Sequence, residues 1–170
     1  RELPNLSSDG KLVWSYKDAM VPEVMPKSLL VVGSGAIGIE FASFFRNLGA
    51  EVTVVELLDR ILPQEDSEIS SFAQKEFEKQ GMNIITGAKV TSLKKGAKTV
   101  TAHIENSSIQ KTILVDRIVL AVGITGNTEL LGLENTKVKV EEGHISVDEW
   151  LQTDEPGIFA IGDVVGPPWL

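Results

Sequence analysis

The sequence predicts an α/β fold: a parallel sheet flanked by helices, with an antiparallel β-meander in place of one helical crossover. Three observations carry this. Residues 29–56 read as a Val-rich apolar strand, a glycine-rich turn, an amphipathic helix and a second strand ending in Glu56, the pattern of a right-handed parallel crossover. The run Ser28–Val32 is unbroken by polar residues after Ser28, as suits a strand covered on both faces. Three β-rich runs, Lys89–Lys94, Thr99–Glu105 and Gln110–Val115, are separated by KKGAK and ENSS, which are hairpin signals.

In chain order, Arg1–Pro26 carries Pro4, Gly10, Pro22 and Pro26 and reads as a connecting arm, with an apolar patch at Leu12–Trp14 and a helical turn around Tyr16–Met20. The first helix is expected over Ala36–Leu48, with Ile37, Phe41, Phe44, Phe45 and Leu48 as its inner stripe and Gly49 as its stop. Strand Glu51–Glu56 follows. Asp66 or Ser67 can cap a second helix running to Gln80, with Ile69, Phe72, Ala73 and Phe77 inward and Gly81 ending it. Asn83–Thr86 is a short strand, and after the meander Arg117–Val122 returns to the sheet and ends at Gly123. Further short strands are expected at His144–Val147 and Ile158–Ile161, the latter leading into Gly162 and Asp163. This gives an arm over 1–26, a dinucleotide-binding domain over 27–147 and a segment over 148–170 that belongs with a neighbouring domain. A chain that begins at Arg1 without a methionine is expected to be a processed or excised piece.

A chain of 170 residues buries roughly 70% of the surface its unfolded form exposes, enough for one good domain. The net charge of -8 argues against a general nucleic-acid binder. No cysteine is present, which excludes a disulfide, a thiolate metal site or a cysteine nucleophile within these residues. The most apolar stretch, 28–42, is interrupted by glycines and Glu40 and is shorter than the ~20 apolar residues a membrane span needs, so a soluble intracellular protein is expected.

The turn Gly33-Ser34-Gly35-Ala36-Ile37-Gly38 spells GxGxxG. Gly33 permits the tight turn off the strand, Gly35 lets backbone approach a pyrophosphate, and Gly38 lets the helix pack closely on the strand. The helix start then offers backbone N–H groups and a positive dipole end to an anion. Glu56, at the end of the next strand, is placed to accept from both hydroxyls of an adenosine ribose, and its charge would repel a 2′-phosphate, so NAD is expected over NADP. Arg60 nearby could accept such a phosphate, but only with Glu56 tolerated. By spacing alone, Glu40 reads equally as a cofactor contact or a helix-dipole contact, and Asp163 as an ordinary turn residue. His103 lies out of phase with the apolar residues of its strand and His144 follows a glycine turn; neither has partners at metal or triad spacing. Trp14, Trp150 and Trp169 read as packing residues.

Together, PKSLLVVGSGAIGIEFASFFRNLGAEVTVVE, DRIVLAVGITGNTELLGLE, TDEPGIFAIGDV and GPPWL resemble the FAD-dependent pyridine nucleotide-disulfide oxidoreductases over essentially the whole chain, most closely those that oxidise dihydrolipoyl groups. The resemblance implies a Rossmann-like FAD/NAD(P)-binding domain. It implies that Gly33, Ser34, Gly35, Ala36, Ile37, Gly38, Ile39 and Glu40 cradle NAD, with Ile37 and Glu40 toward the nicotinamide. It further implies that Glu56 holds the ribose, Val90 borders the adenine and Gly123 lies against the nicotinamide half. Asp163 would contact the ribityl and phosphate part of FAD, with backbone contacts from Trp169 and Leu170. One departure is Ile124, where the family often has arginine. The family's redox cysteines, first flavin motif and C-terminal dimerisation part are absent from these residues, so the resemblance implies the NAD-binding middle of an enzyme, expected to be inactive alone. The implied partners are NAD(H), the remainder of its own chain, a homodimer partner and the lipoyl domains of 2-oxo acid dehydrogenase complexes, in a bacterial cytoplasm or mitochondrial matrix, with no nucleic acid and no membrane. A stand-alone NAD-binding or sensing module, and the NAD domain of another flavin disulfide reductase, are the alternatives.

Overall fold

The computed structural model describes residues 6–108 and 110–169. The chain divides into two compact units, one running to Gly123 and the other from Ile124 onward, so the division precedes the expected boundary at residue 147.

The first unit is built on β1 (Val13–Trp14), β2 (Ser28–Val32), β3 (Glu51–Val55) and β4 (Asn83–Ile85), followed by a meander of β5 (Lys89–Lys95), β6 (Val100–Glu105) and β7 (Gln110–Val115), and then by β8 (Arg117–Leu120). The sheet runs β1-β8-β2-β3-β4 with every pairing parallel, and the meander forms its own antiparallel sheet. Among the described residues the helices of the unit are α1 (Tyr16–Met20), α2 (Ala36–Asn47) and α3 (Ser67–Lys79). The period-two alternation of β2 sends Leu29 and Val31 to a cluster with Ala42, Phe45 and Met82, and Leu30 and Val32 to one with Val100, Ala102 and Ile104 of the meander. Each fully buried Val, Leu or Ile contributes about 1.5–3 kcal/mol. Helices therefore cover one face of the sheet and the meander covers the other, which is why β2 tolerates no polar residue in its centre.

Several expectations are corrected by the structure. Val13 and Trp14 are not part of an arm lying outside the core; they are buried and pair with Ile118 and Val119. On α2 the buried face is Gly38, Ile39, Ala42 and Phe45, whereas Ile37, Phe44 and Leu48 are exposed. Gly38 and Ala42 lack bulk, so the helix approaches the sheet on their side and the larger side chains turn outward. On α3 Ile69 and Phe72 are exposed, Ala73 and Phe77 are half-buried, and Ser70 faces inward with its hydroxyl donating to the Leu62 carbonyl at 3.1 Å. That bond ties the serine face, rather than the apolar one, to the preceding loop.

Both long helices end in the same way. Ala50 N–H donates to the Phe45 carbonyl and Gly49 N–H to that of Arg46; Met82 and Gly81 repeat the pattern with Phe77 and Glu78. These are Schellman closures, and they require Gly49 and Gly81 at φ +97° and +89°. Arg46 joins the two ends, its Nε donating to the Gln80 carbonyl at 2.8 Å. At the start of β1, Asp9 accepts from the N–H groups of Lys11, Leu12 and Val13 and pairs with Lys95 on β5 at 2.7 Å. Partial burial alone would raise its carboxyl, but the Lys95 bond and the three backbone donors outweigh this and hold it well below the usual carboxylate range.

The second unit is small. β9 (Val140–Glu141) and β10 (His144–Ile145) form a hairpin whose turn residues Glu142 and Gly143 both have positive φ. Val138, Ile145 and Ala160 are its buried apolar residues. Ile158–Ile161 is not a strand: only Phe159 makes a bridge, to Gln152, because no neighbouring strand among the described residues pairs with it. Trp150 is 75% exposed, so it is not a packing residue within this unit. Trp14, by contrast, is packed against Phe45.

Gly49→Ala should cost about 1–2 kcal/mol, the penalty of a left-handed alanine. Gly81→Ala should cost more, because its Cβ would stand 2.5 Å from Arg46 Nη2 and displace the bond to Gln80; denaturant unfolding of both variants checks the order. Because the folded carboxyl of Asp9 is depressed, its stabilisation is complete above the unfolded value near pH 4 and is lost as pH falls through the lower folded value. Asp9→Asn should therefore lose less stability than the unaltered chain between pH 5 and pH 2, measured by thermal melting across that range.

Candidate functional site

The carboxyl ends of β2 and β3 and the start of α2 meet around one buried serine. From β2 the chain proceeds to β3 and β4 on one side, while β8 lies on the other, so the strand order reverses between β2 and β8. In an open α/β sheet the crevice outside the strand ends at such a point is where ligands bind.

The three turn glycines differ in what surrounds them. A Cβ on Gly33 would strike the carbonyl of Ala121, and one on Gly38 would strike the carbonyl of Gly33 and approach Ala121 Cβ at 3.3 Å. Those two glycines are required by the protein itself. Gly35 has nothing within 4 Å of its Cβ position and lies at φ -64°, a conformation open to any residue. No contact among the described residues accounts for glycine there. Gly35 is also the N-cap of the 12-residue α2 and supplies no side-chain acceptor, so the cap residue leaves the first-turn N–H groups without a side-chain bond.

Glu56 is 7% exposed and Ser34 is fully buried. Ser34 donates twice to Glu56 Oε2, from N–H at 2.8 Å and from Oγ at 2.7 Å, and Leu58 N–H donates to Oε1 at 2.9 Å. The main chain of Glu56 is held between the Ile85 carbonyl and the Ala88 N–H. Arg60 turns away from a free anion-binding role, donating from Nη2 to the Pro63 carbonyl at 3.2 Å with Nε buried and unpartnered. The loop then returns to the turn, Leu62 N–H donating to the Ser34 carbonyl at 2.9 Å.

Of the residues expected to hold a cofactor, Gly33 to Glu40 and Glu56 are brought together at this edge. Ala36, Ile37 and Glu40 are exposed, whereas the side chain of Ile39 lies in the core and offers only its backbone. Val90 is also core, 8% exposed, inside the meander layer. The open groove of about 340 Å³ near that strand is lined instead by Leu57, Gly87, Lys89, Glu105, Asn106 and Ser107. Gly123 is exposed at φ +101° just beyond β8. Asp163 and Trp169 belong to the second unit, Asp163 in a 3-10 turn over Gly162–Val165 and Trp169 46% exposed. Leu170 lies outside the described residues. His103 bonds Thr112 through Nδ1 at 3.2 Å, and among the described residues no cluster of three metal-ligating side chains occurs. Among the described residues no helix is long and apolar enough to cross a membrane.

Sequence reasoning missed the part played by Ser34. Its signal is a hydroxyl at a variable position between two glycines, where a buried side chain must find an acceptor. Gly38→Ala should be destabilising by about 2 kcal/mol or more through the clash with the Gly33 carbonyl, whereas Gly35→Ala should leave stability within about 0.5 kcal/mol, as denaturant titration of the two variants would show.

A dihydrolipoyl dehydrogenase of Rhizobium etli is 52% identical over all of this chain, and one of Bacillus subtilis is 42% identical over 98% of it. The chain spans about a third of the length of each, 36% and 35%. Among solved structures, LpdA from Mycobacterium tuberculosis superposes with a TM-score of 0.85 at 30% identity, covering the whole of this chain and 37% of that one. The HOCl-induced flavoprotein disulfide reductase RclA from Escherichia coli superposes at 0.86 and 29% identity, again over the whole chain and 39% of RclA. A pyridine nucleotide-disulphide oxidoreductase family model matches residues 3–169, so it is the chain from end to end, and not the glycine turn alone, that belongs to that family.

Proposed function

We propose that these residues form the NAD(H)-binding part of a flavoprotein that oxidises dihydrolipoyl groups and passes the electrons through FAD to NAD. The observation that carries the reading is Gly35: an open Cβ position, unexplained by any protein contact, at the uncapped start of α2. A pyrophosphate fits there, taking the first-turn N–H groups and the positive end of the helix dipole. Glu56 fits the ribose, because a carboxylate has about four acceptor sites and three donors now reach it. Its negative charge disfavours a 2′-phosphate, which supports NAD over NADP.

Bound NAD and FAD supply the hydride and electron-transfer chemistry. This chain's residues bind and orient. Ile37, 38% exposed beside Glu40, offers an apolar contact next to an acidic one for the nicotinamide half. In the second unit Gly162, at φ +76° with nothing within 4 Å of its Cβ position, leaves room beside Asp163 for part of a flavin. The 170 residues contain no cysteine, so the disulfide exchanged with a dihydrolipoyl group would be supplied by the longer protein, and the chain alone would reduce no NAD with dihydrolipoamide. Its partners would then be NAD(H), the rest of that protein, a second copy in a dimer and the lipoyl domains of 2-oxo acid dehydrogenase complexes, in the bacterial cytoplasm or mitochondrial matrix.

Calorimetric titration of the chain should give tighter binding of NADH than of NADPH, and equal affinities would remove the role given to Glu56. Gly35→Ala should weaken NADH binding by about tenfold without lowering stability, since one methyl there displaces the pyrophosphate from its backbone donors.

A further inference from the structure

We propose that Ser34 is a positioning residue for the ribose: its hydroxyl fixes the orientation of the Glu56 carboxylate and so sets how strongly NADH is preferred over NADPH. The inference rests on the reading of this site as an NAD(H) site and adds to it a residue whose side chain would touch no cofactor.

A carboxylate at the end of a strand can rotate about its last bond, and only fixed donors stop it. Oε2 is held by two donors from one residue, the N–H and Oγ–H of Ser34, while Oε1 is held by the Leu58 N–H alone. The two oxygens are thereby made unequal. Oε2 is committed inward to the glycine turn, and Oε1 keeps the spare acceptor capacity for a ribose hydroxyl. Ser34 can impose this because it is itself immobile: it is fully buried, and its carbonyl accepts from Leu62 N–H. Of its contacts to Glu56 only the hydroxyl depends on the side chain. Without it each carboxylate oxygen keeps one backbone donor, Ser34 N–H on Oε2 and Leu58 N–H on Oε1, and the inequality that commits Oε2 inward and holds the charge where it repels a 2′-phosphate is weakened.

The test is a double-mutant cycle on the chain, with Ser34→Ala, Glu56→Gln and the pair, each titrated with NADH and with NADPH and each melted to record stability. Ser34→Ala should weaken NADH binding by about three- to tenfold and narrow the preference over NADPH, while changing NADH affinity by less than about twofold when Glu56 is already glutamine. Ser34→Cys, close in volume but a weak donor, should fall between serine and alanine and stands in for alanine if that variant does not fold. The proposal is overturned if Ser34→Ala or Ser34→Cys lowers both affinities equally and keeps their ratio, if it changes neither, or if its effect persists in full in the Glu56→Gln background. If the unaltered chain binds no NADH, the assignment of this site to NAD(H) fails, and the role of Ser34 with it.

Discussion

Two backbone carbonyls leave no room for a side chain, that of Ala121 against Gly33 and that of Gly33 against Gly38. Most of the first unit depends on that contact. With Gly38 pressed on the turn, α2 can have only one rotation about its axis, and Ile39, Ala42 and Phe45 follow Gly38 inward. The same rotation sends Ile37, Phe44 and Leu48 outward. It also sets the first-turn N–H groups over the ends of β2 and β8, where the strand order reverses. The placing of the helix start and the packing of the helix are consequences of one backbone approach, and neither could be altered without the other.

The carboxylate of Glu56 shows how a charge is kept inside this fold without a basic partner among its hydrogen-bond donors. An isolated buried carboxylate is costly, and pairing with a cation is the usual remedy. Here backbone and hydroxyl donors from Ser34 and Leu58 take that place. Such donors carry no net charge, so they offset part of the carboxylate's field and leave the rest. A salt bridge would have stabilised the charge and cancelled that field together.

Much of the architecture is legible in the sequence where one local rule decides the outcome. The starts and stops of α2 and α3 follow from Gly35, Asp66, Gly49 and Gly81, whose effects act within one helical turn. β2, β3 and the meander follow from apolar runs bounded by turn residues. What escapes is decided at a distance. The inward face of α2 is set by Ala121, more than seventy residues away, and the stripe of large side chains points elsewhere. β1 is two residues long and has no period to read; only its pairing with β8 makes it a strand. Ile158–Ile161 has strand composition but, among the described residues, a single bridge partner. At the site, the glycines and Glu56 can be read from spacing, whereas the bond that joins Ser34 to Glu56 depends on two strand ends lying side by side.

The pairing of β1 with β8 has a consequence for how such a unit is carried in a longer chain. β1 is the first strand of the unit and β8 the last, and they are neighbours at one margin of the sheet, roughly 5 Å apart as hydrogen-bonded strands must be. Because the two strands are parallel, the polypeptide enters the unit at the amino end of β1 and leaves it at the carboxyl end of β8, at opposite ends of one sheet margin. In a longer chain β1 therefore has no place in the five-stranded sheet until β8, the strand of the unit that comes last in sequence, is laid against β2.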